Sequence, residues 1–127
     1  TKVYGTEPAA LPRYSESLAA GKPVVVPAPS RKSIADALVA QTPGDKCFPY
    51  VQANTDGFAA VDDTSILRGM KLLLMEGKLL AEPSSCIGVG AVMQGLLSVK
   101  PGEKVCFIIS GGSVALEQLK ILEEVKL

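Results

Sequence analysis

The apolar positions of this chain follow two periods. Unbroken apolar runs at residues 58–61 and 105–109 fit strands buried on both faces of a parallel sheet, and residues 24–26 form a shorter extended piece. Residues 2–6 make another short strand, which Glu7-Pro8 should end, because proline donates nothing to a ladder. Between these runs the spacing turns helical. Pro12 suits a first helical turn, residues 14–20 continue it, and Gly21 stands where a left-handed cap is wanted, with Pro23 barring continuation. Ser33 caps a short helix carrying Ile34, Ala35, Ala37 and Leu38, which Pro43-Gly44 ends. Asp56-Gly57 turns the chain into the run at 58–61. Asp63 or Thr64 then caps a strong helix with Ile66, Met70, Leu73 and Leu74 on one face, stopped at Gly77.

After Leu79, Leu80 and Ala81, Glu82-Pro83 opens another helix, capped by Ser84 or Ser85, with Ile87, Val89, Val92 and Leu96 on its packed faces. Gly88, Gly90 and Gly95 each cost a helix about 1 kcal/mol against alanine, which is tolerable where another backbone must come close. Pro101-Gly102 turns into the run at 105–109, and Ser113 caps a last helix through Val114, Leu119 and Leu122. Strands and helices therefore alternate. The order predicts an α/β fold of three layers, an open and mostly parallel sheet with helices on both faces.

Composition narrows the partners. At 127 residues the chain is the size of one domain, and its 13 basic residues balance 13 acidic ones, so no charge footprint points to nucleic acid or an anionic membrane. No apolar run approaches the roughly 18 residues of a membrane span. Cys47, Cys86 and Cys106 lack paired spacing and read as reduced, mostly buried thiols, as expected in the cytoplasm or an organellar matrix. The absence of histidine removes the usual general base near neutral pH and excludes Ser-His or Cys-His catalysis within this chain.

Candidate chemistry gathers after the run at 105–109. Ligands bind at the carboxyl ends of strands in open α/β sheets, and there Ser110 offers a hydroxyl while Gly111 and Gly112 allow a sharp turn. Residue types alone leave a plain turn as the alternative. Glu82 is likewise either a site carboxylate or a solvated strand-end glutamate.

Four segments in order carry a resemblance that covers nearly the whole chain: Val3-Tyr4-Gly5-Thr6-Glu7-Pro8, Ser33-Ile34-Ala35-Asp36-Ala37-Leu38, Lys78-Leu79-Leu80-Ala81-Glu82-Pro83 and Ile109-Ser110-Gly111-Gly112-Ser113-Val114. Together they resemble the carboxyl-terminal part of the pyridoxal-phosphate serine/threonine dehydratases, close relatives of serine racemase. The resemblance implies fold type II, akin to the tryptophan synthase β chain, with residues 1–127 forming the carboxyl-terminal portion of the large domain. It also implies pyridoxal 5'-phosphate as cofactor. Ser110 would bond the pyridine nitrogen, Gly111 and Gly112 would let the backbone pass the ring, and Glu82 would lie near the cofactor. Ser113 would stand where the family commonly has asparagine. Asp36 and Ala37 would lie on the substrate side, with Ala37 in place of a family glycine. Glu7 would match a carboxylate that holds a divalent cation in some members, but the aspartate six positions later is Arg13 here, and a guanidinium does not suit a cation site.

The family's Schiff-base lysine has no counterpart in this chain, and neither does its glycine-rich phosphate loop. The expectation is a piece of a longer enzyme, inactive alone, that deaminates L-threonine or L-serine to 2-oxobutyrate or pyruvate plus ammonia. Its partners would be an amino-acid substrate, the amino-terminal remainder of the same enzyme, and further copies in a homo-oligomer. An open apolar face is expected where further strands would pack. Serine racemase, or a ligand-binding or oligomerisation module that kept the fold without catalysis, are the competing readings.

Overall fold

The computed structural model describes residues 1–127. Two strands, β1 (Tyr4–Pro8) and β2 (Gly57–Val61), pair in parallel with Tyr4 opposite Gly57 and Pro8 opposite Val61. The first strand thus runs through Glu7 and Pro8, two residues beyond the expected end. Pro8 is tolerated because it is the last paired residue, and the ladder continues through Ala9, whose N–H donates to the Val61 carbonyl at 2.8 Å.

Helix α1 (Arg13–Ala20) connects onward from β1 and ends at Gly21, whose φ of 70° is the left-handed cap that its sequence position predicts. Pro12 sits at the N-cap, just outside the helix. The segment around Ser33 makes only one 3-10 turn, Asp36–Leu38, although the Ser33 hydroxyl does accept from the Ala35 N–H at 3.2 Å. Helix α2 (Phe48–Asn54) was not visible in the periodicity. Helix α3 (Asp63–Met75) is capped by Asp62, whose carboxylate accepts from the Ser65 N–H at 2.7 Å. Neither Asp63 nor Thr64, the two expected caps, takes that role; Asp63 instead accepts from the Ser33 hydroxyl at 2.5 Å and ties the start of α3 to the Ser33 segment.

Helix α4 (Pro83–Met93) starts from Glu82 and is buried nearly all round. It crosses α3 so closely that a Cβ on Gly90 would lie 2.7 Å from the Ser65 carbonyl oxygen, and one on Gly69 would lie 2.8 Å from that of Cys86. Gly90 therefore repays its helix cost as the sequence implies, whereas Gly95 lies past the helix in a left-handed turn. One core cluster joins Ala59, Val61, Ile66, Ile87 and Ala91 between sheet and helices. A second joins Met70, Ala81, Cys86 and Leu122, the last just after α5 (Leu116–Ile121).

The run at 105–109 departs from its expected state. It pairs with no strand, and Ile108 is 81 % exposed, while Val105 and Phe107 are also exposed. A strand buried on both faces needs a hydrogen-bonded neighbour, and the only ladder here joins β1 to β2. Ile109 still packs on the second core, and Phe107 reaches within 3.3 Å of where a Gly88 Cβ would stand. Ser113 does not cap α5. Ala115 holds that position, and the Gln118 side chain accepts from its N–H at 2.9 Å. Cys86 is buried as expected, but Cys47 and Cys106 are exposed, the first at the edge of α2 and the second in the unpaired run.

Candidate functional site

The loop after the apolar run folds back onto the start of α4. Backbone hydrogen bonding begins the contact, with the Glu82 N–H donating to the Gly111 carbonyl at 3.1 Å. Side chains of α4 complete it. The Gly111 N–H donates to the Ser85 hydroxyl at 2.8 Å, the Ser113 N–H donates to the Glu82 carboxylate at 3.2 Å, and the Ser110 and Ser85 hydroxyl oxygens lie 3.1 Å apart. A Cβ on Gly111 would fall 2.6 Å from a Glu82 carboxylate oxygen, so glycine is what lets the carboxylate close over the loop. A Cβ on Gly112 would stand 3.0 Å from the Leu80 carbonyl oxygen. The structure thus brings together Glu82, Ser110, Gly111, Gly112 and Ser113, with Ser110 exposed and Glu82 half-buried.

Ser84 and Ser85 do not cap α4, the role their place after Glu82-Pro83 suggested. Both hydroxyls serve loops distant in sequence. Ser85 holds the Ser110–Gly111 turn, and Ser84 accepts from the Ala37 N–H at 3.2 Å, fixing the exposed Asp36–Ala37 turn beside the same helix end. Two consecutive serines inside a first helical turn, after a position already filled by Glu82, are the sequence signal that could have marked them for this work.

Glu7 lies apart from this cluster at the carboxyl end of β1, only 1 % exposed. Its carboxylate accepts from the Tyr14 and Ser15 N–H groups, both at 2.8 Å, and from the Ser15 hydroxyl at 2.6 Å, which satisfies the open end of α1. The Arg13 guanidinium turns the other way, donating to the Leu38 carbonyl at 2.8 Å. Glu7→Ala removes an acceptor from two backbone donors at once and is expected to cost about 2 kcal/mol, read as a lowered urea midpoint at constant slope.

Cys86, next to Ser85, has its thiol pushed up from 9.0 to about 12, first by burial and second by the nearby Glu82 carboxylate. Alkylation at mildly alkaline pH followed by peptide mapping should therefore label Cys47 and Cys106 and spare Cys86. Between pH 9.0 and about 12 the unfolded chain gives up this proton while the folded chain keeps it. The contribution is whole below that window and is lost as pH rises through it, by at most about 1.4 kcal/mol per pH unit.

The family model described as pyridoxal-phosphate dependent enzyme matches residues 1–111. The chain is 32 % identical to the L-threonine ammonia-lyase of Thermotoga maritima over 118 residues, covering 93 % of this chain and 28 % of that protein. It is 35 % identical to the serine racemase of Dictyostelium discoideum over 123 residues, covering 95 % of this chain and 38 % of that one. Among solved structures, maize serine racemase superposes with a TM-score of 0.82 at 33 % identity, covering 94 % of this chain and 37 % of the other. The chain spans about a third of the length of the curated relatives it matches. Its architecture is that of the tryptophan synthase β-like enzymes, α/β with a parallel sheet and flanking helices. With a family model matched over most of its length and a fold shared with the same group, the chain belongs to the pyridoxal-phosphate-dependent enzyme family.

Proposed function

We propose that residues 1–127 are the carboxyl-terminal portion of the large domain of a pyridoxal-phosphate-dependent dehydratase. In this reading the complete enzyme deaminates L-threonine or L-serine by β-elimination, giving 2-oxobutyrate or pyruvate plus ammonia. The observation that carries it is Ser110, a neutral, exposed hydroxyl on the loop held by α4; the sequence resemblance matches it to the family's partner of the ring nitrogen. The residues present fit the cofactor in donor chemistry. A hydroxyl donates to an aromatic nitrogen, and the Ser110 hydroxyl is exposed on a loop that Ser85 and Glu82 hold in place.

Pyridoxal phosphate, when bound, supplies an electron sink for charge developed at the substrate's α-carbon. Ser110 would donate one neutral hydrogen bond to the ring nitrogen, which unlike a carboxylate would not keep that nitrogen protonated. A hydroxyl rather than a carboxylate at this place would suit departure of the β-hydroxyl over prolonged charge at the α-carbon. Glu82 holds the loop through the Ser113 N–H, so its carboxylate orients the backbone beside the ring. By the resemblance Asp36 and Ala37 would lie on the substrate side, on a turn that Ser84 fixes through the Ala37 N–H. The lysine that moves the α-proton comes from the remainder of the enzyme, which assembles in the cytoplasm as a homo-oligomer.

The test is a partition assay on the complete enzyme loaded with cofactor. L-Threonine and L-serine should yield 2-oxo acid and ammonia faster than L-serine yields D-serine. Faster inversion of serine would make the protein a racemase. Cofactor binding without turnover of either kind would make it a binding module.

A further inference from the structure

The Ser85 hydroxyl has one proton and two lone pairs, and its surroundings decide how each is used. It is buried, only 5 % exposed, inside the first turn of α4. One lone pair receives the Gly111 N–H at 2.8 Å. Its own proton has the Ser110 oxygen 3.1 Å away as acceptor, and the alternative arrangement has Ser110 donating to Ser85. Burial chooses between them. If Ser110 donated, the Ser85 proton would be left unpaired in the interior, a state that costs about 1–3 kcal/mol, whereas the exposed Ser110 can send its proton outward without loss.

We propose that Ser85 is a positioning residue that fixes Ser110 as an outward-pointing hydrogen-bond donor. It acts through two bonds, one setting the backbone of the Ser110–Gly111 turn and one setting the direction of the Ser110 hydroxyl. An acceptor facing Ser110 therefore meets a donor whose oxygen is already polarised by a second hydroxyl. The inference rests on the reading that Ser110 faces the ring nitrogen.

The experiment is a double-mutant cycle on the complete enzyme with Ser85→Ala, Ser110→Ala and both together, plus Ser85→Thr, which keeps the hydroxyl. Cofactor affinity is read by fluorescence titration of the apoenzyme, and the pH dependence of the bound cofactor's absorption is read alongside. Ser85→Ala should weaken affinity about threefold to tenfold and move the spectral titration to higher pH, as loss of a donor to the unprotonated ring requires. In the Ser110→Ala background it should add less than about twofold, because the second hydroxyl then has nothing to direct. Ser85→Thr should retain the parental spectral titration. Independent, multiplying effects of the two alanine changes would overturn the proposal, as would a Ser85→Thr titration displaced as far as that of Ser85→Ala. If Ser110→Ala itself changes neither affinity nor spectrum, the reading of Ser110 fails. If Ser110→Ala changes them and Ser85→Ala does not, the role of Ser85 alone fails.

Discussion

Gly90→Ala is expected to destabilise the folded protein by about 2 kcal/mol, although alanine is the better helix former. The added methyl carbon would stand 2.7 Å from the Ser65 carbonyl oxygen and 2.9 Å from its carbon. These are backbone atoms inside α3, so neither helix yields without moving as a whole. Overpacking of this kind costs about 1–3 kcal/mol and occasionally more, against a propensity gain of about 1 kcal/mol, and the clash wins. Gly88→Ala is the control in the same helix. Its new carbon meets only the Phe107 ring edge at 3.3 Å, which an exposed side chain can relieve. Urea titration of both variants in the complete protein should lower the midpoint for Gly90→Ala and leave Gly88→Ala within about 1 kcal/mol of the parent. A midpoint for Gly90→Ala equal to or above the parent's would mean that α4 does not press against the Ser65 backbone of α3 at Gly90.

Ser110→Asp is expected to redirect the reaction more than to abolish it. A carboxylate at this place would hold the ring nitrogen protonated and strengthen the electron sink, so charge at the α-carbon would persist and α-proton exchange would gain on loss of the β-hydroxyl. The neighbourhood reinforces the effect. The Glu82 carboxylate already lies against Gly111, and a second negative charge beside it favours keeping a proton between the new side chain and the ring. The ratio of solvent deuterium exchange at the α-carbon to 2-oxo acid formation should rise about tenfold, equivalent to roughly 1.4 kcal/mol between the two routes. An unchanged ratio together with an unchanged spectrum would remove Ser110 from contact with the ring.

The parts of the fold that were legible in the sequence are those set by local rules. The helical spacing of Ile66, Met70, Leu73 and Leu74 is that of α3, and the run at 58–61 lies within β2. Gly21 ended α1 because a left-handed residue was required there. The turn of Ser110, Gly111 and Gly112 was likewise visible as a break in an apolar run. What escaped depended on partners distant in sequence. Residues 105–109 carry the composition of a buried strand, but composition does not supply the neighbouring strand that burial requires. Helix α2 begins on Phe48-Pro49 with aromatic and β-branched residues, so its own propensity is poor. Ser84 and Ser85 look like caps because serine usually bonds locally, and only the folded chain shows their hydroxyls turned to Ala37 and to the Ser110–Gly111 turn. Glu7 escaped for the same reason, as its bonds to Tyr14 and Ser15 close a helix end that begins beyond an intervening proline.

The most direct measurement is a crystal structure of the complete protein with pyridoxal phosphate bound, read at one distance. The Ser110 hydroxyl oxygen is expected within about 2.6–3.2 Å of the ring nitrogen, with Ser85 still bonded behind it. A carboxylate at that nitrogen, or Ser110 turned away from the ring, would contradict it.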